Sequence, residues 1–195
     1  MNHLISLLKE NEFKFVTTSS FEKDEIIFNE NATCNTLGLI LEGAVSIISY
    51  SYEGKNIVFK NLKKGDCFGE NLVFSSEPFY KGNVISTSNT TIAFIKKEDL
   101  ISILQENKNF LIEFLNVTSE FTKELNSKIK ILSFDTTFER FTYFMHTHKN
   151  SYNMKSIKNI ADELGVSRET LSRLLAKLQD EEKIIIFNNK ITLID

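Results

Sequence analysis

The sequence lacks any run of eighteen or more uncharged apolar residues, so it offers no transmembrane helix. Its opening stretch, MNHLISLLKENEF, has a short apolar patch but neither a basic leader region nor a small-residue cleavage site. No signal peptide is read there, and a cytoplasmic location is expected. Cysteine is scarce: Cys34 and Cys67 are too few for a tetrahedral cysteine cluster and fit a reducing compartment. Positive charge is not in excess either, with 23 Lys and Arg against 26 Asp and Glu and a net charge of −3. That excludes a protein that coats nucleic acid indiscriminately, so any DNA contact must come from a local surface.

Two further absences narrow the chemistry. Residues 25–95 contain no histidine, which removes a β-barrel enzyme of the cupin type with a metal held by strand histidines. Neither a nucleophile–base pairing nor a phosphate-binding glycine loop is present, so an enzyme is not expected. What remains is an ordinary globular composition, 42% hydrophobic and 25% charged. At 195 residues there is room for one large domain or two small ones.

Between residues 25 and 95 the chain reads as short β-runs, EIIFNE, TLGLILEG, AVSIISY, NIVFKNL, GNVIST and TIAFIK. Gly43, Gly54, Gly65 and Gly69 punctuate them, which predicts an antiparallel sandwich or barrel. The texture then changes, with no Gly or Pro over residues 96–133. Phe110, Phe114, Val117, Phe121, Leu125, Ile129 and Leu132 recur at helical intervals, predicting a long amphipathic helix that starts near Asn107 after a short one. Its stripe must be covered by its own sheet or by a second copy of the chain. Asp135 is expected to cap the next helix, whose buried face carries Phe138, Phe141, Phe144 and Met145.

Near the end, IADELGVSRETLSRLLAKLQDEEKI keeps helical spacing but is interrupted at Leu164-Gly165-Val166. Gly165 suits a tight bend and Ser167 suits the N-cap of a second helix, a helix-turn-helix pattern. Leu171, Leu174, Leu175 and Leu178 point inward, while Arg168, Glu169, Ser172 and Arg173 share the opposite face. KIIIF-NN-KITLI then reads as a β-hairpin wing. From Lys155 to Lys190 seven Lys or Arg face six Asp or Glu, a local net of only +1.

These motifs together resemble the Crp/Fnr superfamily of bacterial transcription regulators over nearly the whole chain. GVSRETLSRLL resembles the family's recognition helix, and LEGAV, YEGKN and KKGDCFGENLVF resemble the turns and cassette of its cyclic-nucleotide-binding-like domain. The resemblance implies an α+β fold: an N-terminal antiparallel, jelly-roll-like β-roll with a long dimerisation helix, then a C-terminal winged helix-turn-helix. It implies domains at 1–133, with the dimerisation helix at about 107–133, and at 134–195. A homodimer would place the recognition helix, about residues 167–179, in the major groove of a palindromic double-stranded DNA site, with RNA polymerase as a further partner.

By the same resemblance Ser167, Arg168, Glu169, Thr170, Ser172 and Arg173 are the DNA-binding residues. Ser172 beside Arg173 resembles the Fnr branch, whose Glu-x-x-Ser-Arg pattern reads a TTGA-type half-site. Asp135 matches the hinge, and Phe114, Val117, Phe121, Leu125, Ile129 and Leu132 the dimer interface. The cassette departs from the family. Gly69 and Glu70 of the ribose-binding pair are present, but the phosphate clamp, an Arg-Ser pair in the family, reads Tyr80-Lys81. Tyrosine cannot replace a forked guanidinium, so cyclic AMP is not expected. Gly69, Glu70 and Lys81 stay as candidates for an unidentified small-molecule effector. The iron–sulfur branch needs an N-terminal cysteine cluster, and residues 1–33 hold no cysteine, so no such cluster is expected. No metal site and no membrane partner are expected. The alternative is an interaction protein that uses the β-roll as a docking module and does not bind DNA.

Overall fold

The computed structural model describes residues 4–54 and 56–194; Lys55, in the YEGKN turn, lies outside the described residues. The chain forms two compact units, residues 1–119 and 120–195. In the first, β1 (Val16–Phe21), β8 (Thr90–Lys96), β3 (Thr36–Glu42) and β6 (Cys67–Phe68) make one antiparallel sheet, in that order. The other consists of β2 (Ile26–Phe28), β7 (Asn83–Ser86), β4 (Ala44–Tyr50) and β5 (Asn56–Lys63), also antiparallel. This is the expected β-roll. Leu37, Leu39, Val45, Val84, Ile92 and Ile95 from both sheets are buried together. Each such side chain contributes about 1.5–3 kcal/mol by leaving water.

The roll is closed by helix α1 (Lys97–Glu106) and the start of α2 (Lys108–Leu132). Asn107 separates them. Its amide donates to Glu12 Oε2 and to the Leu7 carbonyl, both at 2.8 Å, while its Oδ1 accepts the Phe110 N–H at 3.1 Å. A helix continuing through 107 would lose that side-chain cap, and the buried Glu12 carboxylate would lose a donor. Phe110 and Phe114 of α2 are buried in the β-roll core. No helix among the described residues is long and apolar enough to cross a membrane.

The second unit contains the end of α2 and helix α3 (Thr137–Thr147). Strand β9 (Ser151–Asn153), helices α4 (Ile157–Leu164) and α5 (Arg168–Asp180), and strands β10 (Ile184–Phe187) and β11 (Lys190–Leu193) follow. The cap of α3 is Thr136, not Asp135. Its hydroxyl accepts the Glu139 N–H at 3.2 Å and Glu139 reaches back to the Thr136 N–H at 3.1 Å. That reciprocal box needs a carboxylate three residues past the cap, which Asp135 does not have. Phe138, expected on the buried face, is 45% exposed. Phe141, Phe144 and Met145 are buried, with Tyr143 packed against them. Strands β10 and β11 pair through a turn in which Asn188 and Asn189 take φ of 48° and 58°, and β9 completes the wing sheet.

The break between α4 and α5 has the chemistry that the sequence requires. Gly165 ends α4 in the left-handed region at φ 64°, and the Val166 N–H turns back to the Ala161 carbonyl at 3.0 Å. Ser167 then caps α5 by accepting the Thr170 N–H at 3.1 Å. A Cβ on Gly165 would also lie 2.5 Å from Leu132 Cδ2. Gly165→Ala should therefore destabilise the C-terminal unit by at least about 1–2 kcal/mol, the cost of a left-handed L-residue. Urea unfolding followed at that unit checks this; an unchanged midpoint would show that the turn relaxes freely.

Candidate nucleic-acid interface and effector cleft

Helix α5 has two chemically opposed sides. Leu171, Leu175 and Leu178 are buried among Phe141, Ile160 and Leu164. Ala161 is 1% exposed in the same core, where a small side chain lets α4 and α5 cross closely. Ser167, Arg168, Glu169, Thr170, Ser172 and Arg173 are all exposed. The first turns of α5 thus present the whole set expected from the sequence. The Ser167 and Thr170 hydroxyls lie 2.9 Å apart, so these two residues are also engaged in capping. Arg173 Nε makes only a long contact, 3.4 Å, with the Glu169 carbonyl, which leaves its fork directed outward.

Two cations near the end of α5 are already engaged. Glu181 accepts from Lys183 at 2.7 Å and lies 3.7 Å from Lys177. The Lys183 hydrogen bond is the main reason its carboxyl sits below the usual range. Wing residues Ile185 and Phe187 are 56% and 71% exposed, with Lys190 opposite Phe187 in the ladder.

In the β-roll, Gly69 follows β6 at φ 85°, and a Cβ there would lie 2.7 Å from the Thr36 carbonyl oxygen. Only glycine fits. The same ideal Cβ would lie 3.1 Å from Cys34 Sγ and 3.6 Å from the Tyr80 hydroxyl, so these groups converge on the cassette. Tyr80 is 1% exposed and its ring stacks on Phe28 with centroids 4.9 Å apart. Its N–H donates to the Ala32 carbonyl at 3.0 Å and its carbonyl accepts the Asn31 N–H at 2.8 Å. Burial pushes the Tyr80 phenol far up from its ordinary pKa, with the neighbouring Cys34 adding to the shift. Burial likewise pushes the Cys34 thiol up. Both groups are therefore neutral at physiological pH.

Glu70 is buried beside them and pairs with Lys60 of β5 at 3.7 Å. Gly69 and Glu70 are thus brought to one place, whereas Lys81 is exposed. Sequence spacing carried no signal for the Lys60 partner or for Cys34, because both arrive through strand pairing. Cys34 and Cys67 are free thiols, both buried. Among the described residues no group of three or more His, Cys, Asp or Glu is placed to hold a metal ion.

On α2 the apolar residues divide. Phe114 is 5% exposed and edge-on to Phe74 at 6.0 Å, within the first unit. Val117 packs on the same core, and Phe121 is half-buried. Leu125, Ile129 and Leu132 are exposed by 48%, 58% and 43%, as is Leu115 by 54%. Asp135 is exposed, between α2 and α3.

Comparison with known proteins agrees with both halves of this description. Residues 18–107 match the cyclic nucleotide-binding domain and residues 155–195 the Crp-like helix-turn-helix domain. The chain is 24% identical over 181 residues to the anaerobic regulatory protein of Bacillus subtilis (strain 168), covering 87% of this chain and 76% of that protein. It is 23% identical over 159 residues to the cAMP-activated global transcriptional regulator CRP of Pasteurella multocida (strain Pm70), covering 76% of each. Among solved structures, a CooA mutant from Carboxydothermus hydrogenoformans superposes with a TM-score of 0.74 at 21% identity, over 100% of this chain and 92% of that one.

Proposed function

The chain belongs to the Crp/Fnr superfamily of bacterial transcription regulators, whose members are not enzymes, and from that premise we propose how its own residues recognise DNA. It binds as a homodimer, each α5 entering the major groove of one half of a palindromic site. Arg168 and Arg173 offer planar forks that match guanine O6 and N7, and the Glu169 carboxylate can accept from a cytosine amine. Ser167 and Thr170 stand at the N-terminus of α5, where main-chain N–H groups meet a phosphate. The observation that carries this reading is the one-sided exposure of α5: Leu171, Leu175 and Leu178 are buried, Leu174 is half-buried, and the exposed residues of its first two turns are all polar.

The dimer forms along α2. Leu115, Thr118, Thr122, Leu125, Ile129 and Leu132 follow one another at alternating intervals of three and four, the spacing of a coiled-coil seam. The exposure of Leu115, Leu125, Ile129 and Leu132 supports that register. Phe114 and Val117 belong instead with the β-roll core. The effector is not a cyclic nucleotide, because the buried Tyr80 stands where the family has a forked arginine and Glu70 is already paired with Lys60.

Arg173→Ala should cost about 1–3 kcal/mol of DNA binding and relax preference at one base pair, with the dimer intact. Footprinting that finds the same sequence preference would remove Arg173 from base reading. Leu125→Asp puts a charge into the seam but leaves an exposed position of the monomer unstrained. Sedimentation should then show folded monomers; a persistent dimer would place the seam elsewhere. Calorimetry with cyclic AMP or cyclic GMP at micromolar concentrations should give no heat of binding. A micromolar dissociation constant abolished by Glu70→Ala would overturn that reading.

A further inference from the structure

Arg140 occupies the first half of α3, a helix whose other inward residues are aromatic or apolar. Its guanidinium does not face a carboxylate. It donates from Nε to the Phe134 carbonyl at 2.9 Å, from Nη1 to the Leu164 carbonyl at 3.1 Å and from Nη2 to the Leu132 carbonyl at 3.3 Å. Those three oxygens belong to three segments: the last turn of α2, the connection to α3, and the last turn of α4. Two are carbonyls at helix C-termini, which carry partial negative charge and have no partner within their own helices. A forked cation between them satisfies both, and charge-assisted bonds of this kind are stronger than neutral ones.

The contact is reinforced on the same side. Leu132 lies against Gly165, where a Cβ would come within 2.5 Å of Leu132 Cδ2. Ile131 is buried in the C-terminal core, and Lys128 lies 3.9 Å from Glu163 one turn earlier. That ion pair is partly exposed and adds little by itself. The end of α2 is thus joined to the turn that launches α5 by contacts across space, as well as through residues 133–136.

We propose that Arg140 is the positioning residue that fixes the recognition helix to the last turn of α2, and so sets the spacing of the two half-sites that a dimer reads. This rests on α5 being the DNA-reading helix of a homodimer. The guanidinium ties the end of α2 to the carbonyl just before Gly165, so a rotation at the base of α2 carries α5 with it. Lysine cannot take over this role. Its three donors radiate from one atom on a flexible stem, whereas the three carbonyls here need separated donors held in one plane.

The test compares the full-length chain with Arg140→Gln and Arg140→Lys. Duplexes selected from a random pool by the unaltered chain supply the site, and the spacer between its half-sites is then lengthened or shortened by one and two base pairs. The unaltered chain should prefer the selected spacer by about tenfold or more, a coupling of ordinary size. Both variants should keep the base preference within each half-site while the spacer preference falls to about threefold or less. A purely stabilising residue would lower the melting temperature without that split.

Spin labels at Lys130→Cys on α2 and Gln179→Cys on α5, with Cys34→Ala and Cys67→Ala, give an independent readout. In dimers diluted with unlabelled chain, the distance distribution should be narrow with Arg140 and broad in both variants. Narrow distributions with undiminished spacer preference in Arg140→Lys, which keeps the charge, would overturn the proposal. Should the unaltered chain select no sequence at all, the reading of α5 falls, and the label distances still decide the role of Arg140.

Discussion

A left-handed residue at position 165 costs glycine little and any other residue about 1–2 kcal/mol, and this difference organises the C-terminal unit. Because Gly165 takes φ 64°, the carbonyls that end α4 are met by the Gly165 and Val166 N–H groups rather than left bare. The chain therefore leaves α4 at an angle and can start α5 at Ser167, with a side-chain cap ready for the Thr170 N–H. Two short helices with separate axes then bury Ile160, Ala161 and Leu164 against Leu171 and Leu175. One continuous rod could not fold back on itself to do so. The polar first turns of α5 face outward as a consequence of that packing. The placement of that polar face is thereby fixed by a backbone requirement at a residue that carries no chemistry of its own.

The two units treat their family motifs in opposite ways. In the C-terminal unit the motif residues remain exposed and chemically available. In the β-roll the Gly69-Glu70 pair survives, but its surroundings have been converted to packing. Tyr80 stacks on Phe28, its phenol and the Cys34 thiol stay neutral, and Lys60 meets the Glu70 carboxylate. Breaking that buried pair would leave a charge in a poorly solvated place, so the pair is hard to recruit for an incoming ligand. The glutamate that the resemblance assigns to a ribose is here in contact with a lysine of β5.

What the sequence revealed, and what it hid, follows from where each interaction keeps its partner. Strands with alternating apolar residues and glycine turns were legible, as were the helix-turn-helix and the Asn188-Asn189 wing, because their causes lie within a few residues. Strand β1, VTTSSF, carries little apolar alternation and becomes a strand only by pairing with Thr90–Lys96. Strand β6 is two residues long and exists through its register with Gly38 and Leu39. Asp135 and Thr136 are both competent caps, and Glu139, three residues beyond Thr136, decides between them. The aromatic stripe of α2 was visible, but periodicity alone does not say which residues turn toward the β-roll. Phe114 is taken up there, while Leu115, one residue on, is exposed. Arg140 was unreadable for a deeper reason. Its partners are main-chain carbonyls, which any sequence supplies.

Charge placement adds a final constraint on how such a protein can distinguish its site. With a net charge of −3, long-range attraction to a polyanion is weak, and the pull must come from a few cations near α5. Lys177 and Lys183 both lie beside Glu181, whose charge offsets part of theirs. Arg168 and Arg173 remain on the exposed face, together with Lys155 and Lys158 around the start of α4 and Lys190 on the wing. Phosphate contacts from these few positions release counterions, so the sequence-independent part of binding falls steeply with salt. On the proposed reading, base-edge hydrogen bonds and the spacing between half-sites then carry a larger share of the discrimination. That places a premium on holding α5 rigidly, since a fork displaced from the base edge loses the geometry on which bidentate reading depends. If α5 reads DNA as proposed, weak bulk electrostatics and its fastening through Arg140 are two sides of one solution.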